Sequence, residues 1–151
     1  MAEVETAYDL FKAFLSEEDT KALLADPDGG AIPPFAFEND GTEPPSPPKP
    51  WVKMMVTGQL YGQESIGAEN HADNEWDETG KLVLSVMVRS GSGGKRSHNL
   101  ARQLARLFRG RMLGPIECMD AFIGEGGGAE AQNGNWYQRN VVIEWRWMEV
   151  T

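Results

Sequence analysis

KLVLSVMVRSGSGGKRSHNLARQLARLFRG, residues 81–110, contains both of the periods from which this fold is built. Lys81–Arg89 alternates apolar and polar residues, which sets Leu82, Leu84, Val86 and Val88 on one side of a strand. Ser90-Gly91-Ser92-Gly93-Gly94 breaks that alternation, and Lys95–Arg109 then takes the helical spacing. Leu100, Ala101, Leu104, Leu107 and Phe108 form its buried stripe, while Arg102, Arg106 and Arg109, at i, i+4 and i+7, form a charged one. A strand followed by a helix of this pattern predicts a helix lying on one face of a sheet. The stretch is also where the positive charge collects. Residues 81–115 carry eight Lys/Arg and no Asp or Glu, although the whole chain sums to −9. A small protein so divided is expected to present faces of opposite sign, suited to meeting other subunits in a fixed orientation.

Working outward, Trp51–Leu60 alternates with Val52, Met54 and Val56 on one side, and Ile116–Gly124 reads as a further strand. The chain closes on Trp136–Val150, with Val141, Ile143, Trp145 and Trp147 facing one way and Glu144 and Arg146 the other. At the start, Val4, Ala7, Tyr8, Phe11, Phe14 and Leu15 make one helical stripe, and Ser16-Glu17-Glu18-Asp19 is positioned to cap a short second turn through Leu24. Asp26–Pro50 holds eight of the nine prolines, which makes 26–50 a Pro-rich arm, neither helix nor central strand. The polar stretch 61–78 and the Gly/Asn-rich stretch 125–135 are expected to be mobile loops. The prediction is one α+β domain over 1–151: an antiparallel-rich four-stranded sheet, a main helix packed on one face, an N-terminal helix and the long arm.

Several chemistries are argued against by the residues. Cys118 is the single cysteine, so no disulfide framework or multi-cysteine zinc site is available, and its strand context suits a small buried hydrophobe. Gly94-Lys95 resembles a phosphate loop, but Arg96 follows where Ser or Thr is required and Arg89 occupies the first Gly position. His71, Asp73, Glu75 and Asp77 alternate, yet Glu78 stands where a calcium loop needs its turn glycine, so a solvated acidic stretch is expected and no metal. His71 and His98 have no Ser or Cys in an elbow or triad context beside them. We therefore expect no enzyme and no cofactor. Met1–Glu5 is acidic and lacks an apolar signal region, and no run is long enough to span a bilayer, so synthesis in the cytoplasm and no membrane partner are expected.

The order of these pieces resembles the phage tail terminator, or tail completion, proteins. The likeness runs through the N-terminal helix and an arm containing Ile32-Pro33-Pro34-Phe35, Asn39 and Pro44-Pro45. It continues through the strand start Pro50-Trp51-Val52, the segment Gln63-Glu64-Ser65-Ile66-Gly67 and the strand from Gly80 to Arg89. The helix Leu100–Arg109, the Gly-rich loop and the final Asn140-Val141-Val142-Ile143-Glu144 complete it. The resemblance implies a structural virion protein at the neck end of the tail. Such a protein forms a ring, typically a hexamer, that docks on the tail tube protein, stops tube growth and offers a surface to a head–tail connector. On that reading Arg102, Arg106 and Arg109, with Lys95 and Arg96, are the expected subunit or tube interface. Two alternatives stay open: a head–tail adaptor or stopper of the same neck, and a nucleic-acid-binding module using the basic helix 95–109, which would show steeply salt-dependent affinity.

Overall fold

The computed structural model describes residues 6–24, 34–39, 41, 50–63, 75–91, 94–129 and 136–150. Two helices open the chain, α1 (Ala7–Ser16) and α2 (Glu18–Ala22). They are followed by strands β1 (Phe35–Ala36), β2 (Trp51–Gln63) and β3 (Glu75–Arg89), helix α3 (Gly94–Phe108), and strands β4 (Met112–Leu113), β5 (Ile116–Ala129) and β6 (Trp136–Val150). The strands make one sheet in the order β1-β2-β3-β6-β5-β4, antiparallel throughout except for the parallel β1–β2 pair. The expected mixed architecture is present, with six strands in place of four. The two additions, β1 and β4, are two-residue edge strands whose sequences are too short to carry an alternation. In the arm, β1 pairs with Val52 and Lys53 at the sheet margin, the position in which a Pro-flanked segment can still pair.

One face of the sheet holds the core. The alternating Leu82, Leu84, Val86 and Val88 of β3 are fully buried there. In register with them stand Val52 and Met54 of β2 and Val141 and Ile143 of β6. The apolar stripe of α3 closes over them, and α1 packs beside it through Ala7, Phe11, Phe14 and Leu15. Phe11 joins the two helices and the sheet, with its ring 6.1 Å from Phe108 and 5.9 Å from Trp145, both edge-on. Helix α1 begins in a capping box. Thr6 Oγ1 accepts from the Asp9 amide at 3.3 Å, and Asp9 accepts from the Thr6 amide at 2.9 Å. Those hydrogen bonds, the backbone one foremost, hold the Asp9 carboxyl below its ordinary pKa. Ser16 ends α1, donating to the Lys12 carbonyl at 2.7 Å. The N-cap of α2 is Glu17, and it makes no side-chain capping bond.

Two expected loops are strand in part. Pairing of β2 with β3 continues to Gln63↔Trp76, and β3 is paired on its other side out to Glu75↔Val150. Residues 61–63 and 75–78 thus belong to the sheet, and residues 64–74 lie outside the described residues. Both backbones of the extension find ladder partners, which overrides the polar composition of the side chains. Likewise β5 runs through Gly124, Gly126, Gly127 and Gly128 to Ala129, while 130–135 lie outside the described residues. Tyr137 covers Gly126 so closely that a Cβ there would collide with its ring. An aromatic side chain lying across a strand glycine supplies the packing that the glycine lacks. Gly80 stands in the same relation to Trp145, directly opposite it in register.

Candidate interaction surfaces

The main candidate surface is the solvent side of α3. Seven of its residues, from Ser97 to Phe108, are buried against the sheet, which turns the remaining side chains outward. Lys95, Arg102, Arg106 and Arg109 are exposed and Arg96 is half-buried, so the stripe read from spacing is present as a surface. The tertiary fold divides it. Arg106 lines a groove of about 300 Å³ with Leu23, Gln103, Leu107 and Arg111, between α2 and the end of α3. Arg109 instead lines a broader groove of about 1130 Å³ running along β5, beside Glu117, Asp120, Phe122 and Glu144. Arg111 is held at the rim of the first groove. Its Nε donates to the Leu107 carbonyl at 2.7 Å, and its guanidinium lies 5.0 Å from the Phe14 ring.

The second surface is the sheet face turned away from the helices, and sequence reading passed over it. Met55, Val83, Val142 and Phe122 follow one another directly across β2, β3, β6 and β5. They form an apolar row at positions where a solvated antiparallel sheet ordinarily carries polar residues. Met55 is 51% exposed and Phe122 67%. The signal was in the sequence, since these residues fill the outward beats of otherwise regular alternations. On one side of the row lies a polar cluster in which Gln138 donates to Asn140 at 2.8 Å and Ser85 donates to the same oxygen at 2.8 Å. On the other stand Lys81 and Glu144, paired in register. Towards the start of β6 the face is closed by a small cluster of Ala36, Trp51, Met87 and Trp136, the two indoles edge-on at 5.8 Å.

The titratable groups inside the molecule serve the architecture. Arg139 is buried on the helix side. Its Nε donates to Ser97 Oγ at 3.3 Å, and its two terminal nitrogens donate to the Gly124 carbonyl at 2.9 Å and to the Tyr137 hydroxyl at 3.3 Å. It thereby ties the first turn of α3 to the β5–β6 ribbon. Ser97 Oγ donates in turn to the Gly94 carbonyl at 3.0 Å. Cys118 lies in the core opposite Trp145, where loss of solvent raises its thiol to about 11. A thiol so held is protonated at neutral pH and unsuited to attack. No group of three or more His, Cys, Asp or Glu is placed to hold a metal among the described residues, and His71 and Asp73 of the acidic alternation lie outside them. No helix among the described residues is long and apolar enough to cross a membrane.

No protein-family model matches the chain, and no curated protein matches it. A solved structure known only by a sequence label aligns over 95% of this chain and 96% of its own, with a TM-score of 0.57 at 14% identity. At that identity the likeness concerns the fold alone.

Proposed function

We propose that this chain is a structural assembly protein of a long-tailed phage. As a ring of identical copies, typically six, it caps the tail tube and offers the head–tail connector its docking surface. The observation that carries the proposal is the unlikeness of the two sides of one α/β layer. A helix with exposed cations and no acid faces one way, and an apolar row bordered by mixed charges, Glu117, Asp120 and Glu144 with Lys81 and Arg109, faces the other. A terminator must engage its tube on one surface and refuse a further tube subunit on another, and two chemically different faces meet that need. The order of elements from the Pro-rich arm to the final strand, which resembles the tail terminator proteins, supports the same reading. The interface residues of this proposal are Arg102, Arg106 and Arg109, with Lys95 and Arg96 beside them.

The test is to incubate the protein with growing tail tubes and image them by negative-stain electron microscopy. Tubes should gain a blunt end and stop lengthening. The triple variant Arg102→Ala/Arg106→Ala/Arg109→Ala should keep the wild-type fold, because all three side chains are exposed, and should lose the capping. Tubes that lengthen equally with and without the protein would refute the proposal. The exposed basic helix also suits nucleic acid. A specific, salt-sensitive shift of DNA or RNA in gels, without tube capping, would turn the assignment to that alternative.

A further inference from the structure

We infer that Phe122 of one copy seats in the Leu23–Arg106–Arg111 groove of a second copy, and that this contact propagates head to tail. The inference rests on the ring reading for its biological setting, while its argument comes from surface chemistry. Phe122 is the most exposed large hydrophobic side chain among the described residues, at 67%. It shares its groove with three acids, Glu117, Asp120 and Glu144, and two cations, Lys81 and Arg109, so it is an aromatic knob in a surround that is acidic on balance. On the helix side lies a feature of opposite kind. Leu23, 63% exposed, and Leu107 supply an apolar floor, and Arg106 and Arg111 supply a cationic rim. At about 300 Å³ the groove is large enough for one aromatic side chain. Aromatic anchors that fill a pocket while charges of opposite sign meet at the rim are the usual energetic centre of an interface. Arginine adds an attraction of its own for an aromatic face.

The positions of knob and groove decide the symmetry. Phe122 pairs with Val142 on the face turned from the helices, whereas the groove is built from α2 and α3 on the opposite face. One chain therefore cannot fill its own groove with its own knob. A two-fold dimer would have to join both contacts at once, which features on opposite sides of a layer do not permit. The contact is heterologous, and it closes into a ring or continues as a filament. A second copy is favoured as the occupant because knob and groove belong to one chain, and the acidic balance around Phe122 meets a rim that carries Arg106 and Arg111 and no acid.

The experiment uses two full-length variants, Phe122→Asp and Arg106→Glu, both at exposed positions. Circular dichroism and thermal melts check that they fold, and Phe122→Ser is held in reserve. By analytical ultracentrifugation at up to millimolar concentration, wild type should form assemblies larger than a dimer. Each variant alone should associate at least about thirtyfold more weakly, the loss expected of a hot-spot residue. Mixed one to one, the variants should form heterodimers and nothing larger, since each keeps one intact half of the contact. Wild-type protein that stays monomeric or stops at a dimer, variants that associate like wild type, or a mixture that stays monomeric would each overturn the inference. The ring reading is scored separately. Tubes capped by a protein that does not self-associate would refute this contact alone, and assemblies that leave tubes growing would refute the tail function alone.

Discussion

Replacing Gly80 with alanine adds one methyl group at a crowded point of the β3–β6 ladder, directly under Trp145. Its Cβ would lie 2.7 Å from Trp145 Cζ2, 3.1 Å from Trp145 Cε2 and 3.1 Å from the Thr57 carbonyl oxygen. The backbone oxygen cannot retreat without disturbing the β2–β3 pairing next to it. The indole has little freedom either, because Trp145 is fully buried with its ring edge-on to Phe11 at 5.9 Å. Forcing an extra methyl into a packed core costs about 1–3 kcal/mol. Alanine also restricts the unfolded chain, which returns about 0.4–1 kcal/mol. Taking the middle of each range, the net loss is about 1.3 kcal/mol, a fall of about 3–5 °C in melting temperature for a chain of this length. The assay is thermal and urea unfolding at matched protein concentration, with near-ultraviolet circular dichroism reporting on the Trp145 environment. Gly124→Ala is the control. Its Cβ would meet nothing closer than the Asn140 carbonyl oxygen at 3.6 Å, so with no clash to offset the gain from a stiffer unfolded chain it should melt at or slightly above wild type. A Gly80→Ala protein that melts with wild type or above it would refute the argument that Trp145 is packed over this glycine.

Two further outcomes follow from the same core. Phe11→Ala removes the ring that joins α1, α3 and the sheet and should cost about 3–5 kcal/mol, read as a lower urea midpoint with an unchanged slope. Cys118 should resist thiol reagents in the native state and react on unfolding. Its folded pKa of about 11 lies above the ordinary value of 9.0. The protonated thiol is thus the folded form, and its stabilising contribution is complete below pH 9 and declines as pH rises towards 11. Native labelling as fast as that of an unfolded control would contradict the burial.

Where one side chain alternates with another of different polarity, local sequence was enough. Leu82 to Val88 lie inward as their spacing requires, the helical stripe from Leu100 to Phe108 is buried, and β6 spans Trp136–Val150 as read. Strand ends were harder because partners decide them. The extension of β2 to Gln63 depends on pairing with residues whose own composition is polar, and the glycines of β5 are strand residues because Tyr137 lies across one of them. The two-residue strands β1 and β4 exist only by virtue of β2 and β5. The arginine stripe was legible from helical spacing, but its division between two grooves depends on where α2 and β5 lie. The apolar row on the open face went unnoticed for a different reason. Met55, Val83, Val142 and Phe122 are far apart in sequence, and only the sheet register aligns them.

We propose that this molecule acts by seating against other protein subunits at the end of a tail tube. Tail length in particles assembled without its gene is the decisive measurement. Tails should then be irregular, overlong and unjoined to heads, and supplying the gene should restore uniform joined tails. Normal tails attached to filled heads in its absence would contradict it.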